Sequence, residues 1–92
     1  MIKSFRHKGL KKLFGTGERR GVAPELAGRL VRQLDVLNRA RSTADMNLPG
    51  YRLHRLKGDR TGTWSVSVSG NWRVTFTIEG EDVFDVDLED YH

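Results

Sequence analysis

The sequence predicts an α+β fold in which N-terminal helices cover one face of a mainly antiparallel β-sheet. Two segments with helical periodicity occupy the first half of the chain, and strand-like segments with period-two alternation follow in the second half. The chain has 92 residues, which is the size of one small domain, and we expect residues 1–92 to form it.

The first elements are a short strand and a short helix. Residues 2–5 alternate between apolar and polar side chains, which favours a strand. Residues 8–14 place Leu10, Leu13 and Phe14 at the i, i+3 and i+4 positions of one helix face. Three glycines within residues 15–21 then favour a loop, so we expect the helix to end there.

A longer helix follows the loop. Pro24 suits a first helical turn, and small and large apolar residues recur at helical spacing after it. This apolar stripe consists of Leu26, Ala27, Leu30, Val31, Leu34, Leu37 and Ala40. Arg29, Arg32 and Arg39 fall largely outside the stripe, so the outer face of the helix is predicted to be basic. Residues 42–50 then connect the helix to the sheet.

A β-hairpin is predicted from residues 64–68 and 72–78, both of which alternate with period two. A two-residue turn would place Val68 opposite Arg73, so we expect a three-residue loop over 69–71. That register makes one face wholly apolar, because directly opposite residues share a face. The expected pairs are Val68 with Trp72, Val66 with Val74, and Trp64 with Phe76.

The last strand is predicted over residues 83–88. Its alternation directs Phe84, Val86 and Leu88 towards the core, and Asp85 and Asp87 towards the other face. The hairpin contributes a polar surface to that other face. Its members are Thr63, Ser65, Ser67, Arg73, Thr75 and Thr77.

Charge is distributed unevenly along the chain. Residues 1–41 contain eleven lysines and arginines and three acids, a charge of +8, whereas residues 42–92 contain five bases and nine acids, a charge of −4. A basic half of this size attracts polyanions such as nucleic acids. A solvated helix face is the ordinary alternative, so charge alone does not establish nucleic-acid binding.

Several classes of protein are excluded or disfavoured by composition. The chain has no cysteine, which excludes disulfides, thiolate metal sites and a cysteine nucleophile. No apolar run approaches the roughly 20 residues of a membrane-spanning helix. The first residues lack the apolar stretch of a secretory signal, so we expect a cytoplasmic protein. The three histidines lack metal-ligand spacing, and no metal site or cofactor is expected.

Side chains suited to metal-free RNA cleavage occur around the hairpin and at the end of the chain. One imidazole could remove the proton of a ribose 2′-OH and another group could protonate the departing 5′ oxygen, because both forms of histidine are populated near neutral pH. Lysine and arginine could stabilise the charge of the transition state, and tyrosine could stack on an unpaired base. The candidates are His54, Lys57, Arg73, Asp90, Tyr91 and His92.

Three of these side chains also have an ordinary structural interpretation. His92 could be a terminal tail residue, and His54 could be a partly buried strand residue with a hydrogen-bonded ring. Arg73 could be the ion-pair partner of Asp59 or Asp90. Taken singly, these residues do not establish an active site.

Three segments together carry a resemblance to a known family. They are MIKSFRHKGLKKLF at the start, LHRLKGDR continuing through WSV to NWRVTF in the middle, and EDYH at the end. In these segments the chain resembles HigB-type toxins of the RelE/ParE superfamily, which are ribosome-dependent mRNA endonucleases of bacterial type II toxin–antitoxin systems. The match is poorer over residues 15–50.

The resemblance implies a RelE-like fold that enters the ribosomal A site and cuts mRNA there. The 2′-OH would attack the adjacent phosphate without a metal, leaving a 2′,3′-cyclic phosphate and a 5′-hydroxyl. The family's catalytic positions fall on His54, Asp90, Tyr91 and His92, with Lys57 and Arg73 as the cationic group. Asn71 would contact the bases of the mRNA. Among the basic residues of the first half, Arg19, Arg20, Arg29 and Arg32 would contact RNA phosphates.

The resemblance also implies a protein partner and leaves an alternative activity. The partner would be an antitoxin of the HigA type, a small helix-turn-helix protein that neutralises the toxin. ParE-type relatives share the fold but poison DNA gyrase without cleaving RNA, which is the main alternative. An RNA-binding module without activity is a third.

Overall fold

Two α-helices and a four-stranded antiparallel sheet form the described part of the molecule. The computed structural model describes residues 1–90. Their elements are α1 (Lys8–Thr16), α2 (Pro24–Arg39), β1 (His54–Arg55), β2 (Thr63–Ser69), β3 (Trp72–Glu79) and β4 (Asp82–Asp90). The strands lie in the order β1-β2-β3-β4, and the predicted α+β class is confirmed. Neither helix is long and apolar enough to cross a lipid bilayer.

Helix α1 is bounded by a side-chain cap at its start and a left-handed residue at its end. The Nδ1 atom of His7 accepts a hydrogen bond from the backbone N–H of Leu10 at 3.1 Å, which satisfies one of the amides that a helix start leaves unpaired. Gly17 has a φ of 79° and donates its N–H to the carbonyl of Leu13 at 3.0 Å. One of the three histidines therefore has a role in the fold.

Two glycines allow α1 to pack against the loop that follows it. A Cβ atom added to Gly9 would lie 2.2 Å from the carbonyl oxygen of Gly21, and one added to Gly21 would lie 2.6 Å from the Cα of Gly9. Both contacts involve backbone atoms, which cannot move aside as a flexible side chain can. The close approach therefore requires glycine at both positions.

Gly9→Ala is expected to destabilise the protein by about 1–3 kcal/mol, the usual cost of forcing extra volume into a packed site. Gly15→Ala is the matched control in the same helix, since no other atom of residues 1–90 lies within 4 Å of its added Cβ. Alanine there should be neutral or stabilising by up to about 1 kcal/mol, because glycine is a poor helix former. Urea denaturation of both variants checks this, and equal stability of the two would contradict it.

The core lies between the leucine stripe of α2 and one face of the sheet. Leu26, Leu30, Leu34 and Leu37 are all buried, as the helical spacing predicts. Val31 is 41% exposed, so the predicted widening of the stripe is wrong at this position. The sheet contributes mostly valines to the same core, namely Val66, Val68, Val74, Val83 and Val86, together with Phe76.

The hairpin has the predicted core pairs but a different turn. Val66 lies opposite Val74 and Trp64 opposite Phe76, as expected, whereas Trp72 pairs with Ser69 and not with Val68. The three-residue loop is therefore wrong: a two-residue turn closes the hairpin, and a register shift leaves Val68 as an extra residue in β2. This β-bulge keeps Val68 buried and preserves the apolar face below it.

A second bulge changes which residues of β4 face the core. Thr77 pairs with Phe84 and Thr75 with Asp87, so β4 has one more residue than β3 over this interval. The alternation therefore shifts, and Phe84 is only half-buried and shares the face of Thr77. The prediction that Phe84 enters the core is wrong, whereas Val86 is buried as expected.

The N-terminal segment lies beside this second bulge. Ile2 and Phe5 form isolated parallel bridges to Val83 and Val86, in place of the continuous strand predicted for residues 2–5. The N–H of Asp85 donates to the Ser4 hydroxyl at 2.8 Å. The start of the chain therefore satisfies backbone groups that the bulge in β4 releases from the sheet.

Candidate active site

A cleft on the polar face of the sheet brings together two of the predicted site residues. Its volume is about 320 Å³. The residues that line it are Arg52, Leu53, His54, Leu56, Ser65 and Arg73. We call it the His54–Arg73 cleft.

Strand register explains why His54 and Arg73 share this cleft. His54 in β1 lies opposite Ser65 in β2, and Arg73 in β3 lies opposite Ser67. Because alternate residues of one strand share a face, the two serines direct both partners to the same side of the sheet. A histidine able to transfer a proton and an arginine able to bind an anion thus lie on one surface.

Ser65 lies between these two residues in the lining of the cleft. It is fully buried, and its Oγ atom has no hydrogen-bond partner among the described residues. Buried hydroxyls are usually bonded, so an unbonded one beside a polar cleft retains its hydrogen-bonding capacity. The sequence indicated Ser65 only as part of the polar face, since strand alternation does not show which polar residues become buried.

Beside the cleft, an ion pair joins the segment before β2 to the end of β4. Arg60 binds both carboxylate oxygens of Glu89, at 2.8 and 2.5 Å. The hydroxyl of Thr75 donates to the same carboxylate at 2.7 Å. Hydrogen bonding to Arg60 is the main cause that lowers the pKa of Glu89, and burial opposes it. Glu89 lies directly opposite Arg73, so the carboxylate nearest to Arg73 in register is held by a different arginine.

The ion pair predicts an acid-dependent loss of stability. Because the folded pKa of Glu89 lies below the ordinary value of 4.5, its contribution is complete above that pH and is lost as the pH falls through the folded value. Glu89→Gln should therefore lose less stability than the wild type between about pH 6 and about pH 3. Urea denaturation across this range checks the difference. Glu79→Gln, at the exposed end of β3, is the control, and an equal effect of the two variants would contradict the assignment.

Of the remaining predicted catalytic residues, the structure describes Lys57 and Asp90, and neither of them lines the cleft. Lys57 is exposed, follows β1 and does not line the cleft. Asp90 ends β4 opposite Trp72, one residue beyond Glu89, which is the partner of Arg73 in register. Tyr91 and His92 lie outside the described residues. Asn71 is exposed in the turn of the hairpin, as predicted.

The predicted RNA-binding arginines fall into two groups. Arg29 and Arg32 line a second cleft of about 270 Å³ together with Gln33, Tyr51 and Ser67. Arg19 and Arg20 are exposed in the loop between the helices. Arg20 pairs with Glu18 at 3.0 Å, with 90% of its side chain exposed. These arginines are therefore accessible to a polyanion.

Arg29 also has a structural role, which the sequence did not indicate. Its Nη1 atom donates to the carbonyl of Val68, and Gln33 donates to the carbonyl of Ser67 at 2.7 Å. Within residues 1–90, the pairing of β1 with β2 reaches Ser65 and stops short of these two carbonyls. Side chains of α2 bind them instead, and the edge of β2 is thereby covered.

The side chains of the His54–Arg73 cleft are of the kinds that transfer protons and bind anions. Within residues 1–90, no group of three or more His, Asp or Glu side chains could hold a metal ion. An imidazole, a guanidinium and a buried hydroxyl on one surface suit a phosphodiester, whose cleavage requires proton transfer and stabilisation of negative charge.

Comparisons with known proteins give a consistent result over the whole chain. A family model described as a RelE-like toxin of the type II toxin–antitoxin system HigB matches residues 3–92. The chain is also 45% identical over 92 residues to the endoribonuclease HigB of Proteus vulgaris, and the alignment covers 100% of both chains. The resemblance seen in the sequence is thus confirmed.

Proposed function

The chain belongs to the HigB-like family of RelE-like toxins of type II toxin–antitoxin systems, and from this we propose that it is an endoribonuclease that cuts mRNA in the ribosomal A site. The observation that carries the proposal is the placement of His54 and Arg73 in one cleft on the polar face of the sheet. The full-length similarity to a protein named an endoribonuclease supports the same reaction. Because ribosomes are cytoplasmic, we assign the proposed activity to the cytoplasm.

The proposed reaction is an internal transfer of the phosphodiester. The 2′ oxygen forms a bond to the adjacent phosphorus and the bond from phosphorus to the 5′ oxygen breaks, which leaves a 2′,3′-cyclic phosphate and a 5′-hydroxyl. His54 carries one of the two proton transfers, either from the 2′-OH or to the 5′ oxygen. The other belongs to the terminal group of Asp90, Tyr91 and His92. Because side chains carry both transfers, this route requires no metal ion or cofactor.

Arg73 supplies charge stabilisation in this mechanism. A phosphorane-like transition state carries more negative charge than the bound phosphodiester, and a guanidinium binds two phosphate oxygens at once. The Nε atom of Arg73 is shielded from solvent. The attraction between this part of the guanidinium and a phosphate is therefore stronger than it would be at an exposed site. Lys57, which is exposed and outside the lining of the cleft, serves at its margin as a more distant cation.

Binding to the ribosome is assigned to the basic first half of the chain. The exposed arginines of the interhelical loop and α2, Arg19, Arg20, Arg29 and Arg32, would contact rRNA or mRNA phosphates and carry little sequence information. Asn71, exposed in the hairpin turn, would contact mRNA bases. Since phosphate contacts release counterions, binding should weaken steeply as the salt concentration rises.

An antitoxin is the protein partner that the family implies. We assign it to the HigA type, a helix-turn-helix protein that neutralises the toxin. The +8 charge of residues 1–41 favours a partner with an acidic binding surface, because complementary charge speeds and orients association.

Primer extension on a defined message tests the proposed function. Purified protein is incubated with the message, with and without programmed ribosomes. Cuts confined to the A-site codon and seen only with ribosomes are expected. Cuts in free RNA at the same rate would contradict ribosome dependence. A folded, growth-arresting protein that cuts in neither condition would instead favour gyrase poisoning of the ParE type.

A further inference from the structure

Arg52 has an unusual backbone conformation for an arginine. Its φ is +49°, in the left-handed region that glycine and asparagine occupy more readily than arginine does. Such conformations persist where the surrounding structure enforces them, and they cluster at ligand-binding and catalytic positions. The side chain of Arg52 is therefore a candidate for a role in ligand binding.

Hydrogen bonds on either side of Arg52 hold the chain in this conformation. The carbonyl of Tyr51 accepts a bond from the N–H of Ser67 at 2.6 Å, and His54 pairs with Ser65. From Tyr51 to His54 the chain advances by three residues, whereas β2 advances by only two residues between their partners. One extra residue must be accommodated, as in a β-bulge, and Arg52 takes the left-handed conformation that accommodates it.

The irregularity places Arg52 in the lining of the His54–Arg73 cleft. Bulges next to active sites commonly redirect a side chain, and here the redirected side chain lies with His54 and Arg73 around one opening. Arg52 is exposed and has no ion pair or hydrogen bond to any described residue. Its neighbour Arg55, by contrast, lies over the ring of Trp64 at 5.9 Å.

Because this cation lines the cleft and Lys57 does not, we propose that Arg52 binds a backbone phosphate of the RNA substrate in the His54–Arg73 cleft. The inference rests on the proposed function and extends it to a residue that the sequence did not indicate. A guanidinium suits this ligand because its planar donors match two phosphate oxygens. Arg52 would thus hold the RNA strand across the cleft while His54 and Arg73 act at the scissile phosphate.

Arg52→Gly provides a specific test, because glycine accepts a positive φ and the variant removes the guanidinium without disturbing the backbone. The probe is a single-stranded 2′-O-methyl RNA, which cannot undergo attack by the 2′ oxygen. Its affinity is measured over a series of salt concentrations. Arg52→Gly should bind about 10-fold more weakly at low salt, and the slope of log K against log salt should become shallower by about 0.7, the value for one phosphate contact on a single strand.

Two further variants separate a phosphate contact in the cleft from a general effect of positive charge. Arg55→Ala removes the same charge from a nearby exposed residue outside the cleft, and it should retain the wild-type salt slope. Arg52→Lys keeps the charge without the planar fork and should recover most of the slope but not all of the affinity. On programmed ribosomes, Arg52→Gly should cut more slowly than Arg55→Ala.

The outcomes distinguish this inference from the proposed function. Wild-type affinity and salt slope in Arg52→Gly would overturn the role of Arg52, as would an equal loss in Arg55→Ala or the absence of RNA binding by the wild type at low salt. If the wild type binds RNA with the expected Arg52 dependence but cuts no message on ribosomes, the proposed function fails and the phosphate contact stands.

Discussion

Replacing His54 with alanine is expected to lower the rate of RNA cleavage on ribosomes by about 10²–10⁴-fold, the usual contribution of one acid–base group. The imidazole is exposed and lines the cleft beside Arg73, so its removal takes away a proton-transfer group and little packing. Single-turnover cleavage of a ribosome-bound message measures the loss, and a thermal melt measures the stability. The melting temperature should stay close to that of the wild type.

The control for His54→Ala comes from the same strand. Arg55→Ala alters the adjacent exposed residue on the other face of β1 and should cut at nearly the wild-type rate. A His54→Ala protein that cuts at the wild-type rate would rule out His54 as a proton-transfer group.

Phe76→Ala is expected to produce the largest loss of stability, about 3–5 kcal/mol. Phe76 is fully buried in the middle of β3, opposite Trp64 and beside the extra residue of β4. Truncation leaves a cavity between the sheet and α2, and the loss is a large share of the total stability of about 5–15 kcal/mol of an ordinary domain. Urea denaturation of the variant measures the loss.

Phe76→Leu is the matched control for the cavity, because it keeps most of the apolar volume and should cost less than about 1.5 kcal/mol. Phe76→Ala should also reduce RNA cleavage, but only in proportion to the unfolded fraction. This separates it from His54→Ala, whose cleavage falls while the protein stays folded. A loss below about 1 kcal/mol for Phe76→Ala would mean that the core packing described above is wrong.

The regular parts of the fold could be predicted because their apolar residues recur at the period of a helix or a strand. The spacing of Leu26, Leu30, Leu34 and Leu37 predicted the buried face of α2. The requirement for one apolar sheet face predicted the pairing of Val66 with Val74 in the hairpin. In both cases burial of apolar surface dominates the energetics, and it repeats at the period of the element.

The bulges could not be predicted, because an extra residue changes the register without a consistent mark in the sequence. Val68, Asp85 and Arg52 are the residues at which the strands depart from regular pairing, and none of them is a glycine. Alternation alone predicted that Phe84 enters the core. This prediction is wrong, because alternation holds only within an uninterrupted strand. Contacts from distant segments, such as that of Ser4 with Asp85, decide where the interruption falls.

The candidate site was predictable to a similar extent. The sequence indicated His54 and Arg73 by their chemistry, and strand register brings them together in one cleft, which the sequence did not predict. It also indicated Lys57, which lies outside the cleft, and it did not indicate Arg52, which lines it. Charge identifies residues able to bind a phosphate, but only the backbone path decides which of them reaches the cleft. The ion pair of Arg60 with Glu89 depends in the same way on the position of the segment before β2.

The chemical ends of the cut RNA test the central claim most directly, since they report the bond that breaks. A message is cut on ribosomes by the wild type and by His54→Ala, and the fragments are identified by mass spectrometry. We expect a 2′,3′-cyclic phosphate on the upstream fragment and a 5′-hydroxyl on the downstream fragment, with both nearly lost in His54→Ala. A 3′-hydroxyl with a 5′-phosphate, or undiminished cleavage by the variant, would contradict 2′-OH attack assisted by the His54–Arg73 cleft.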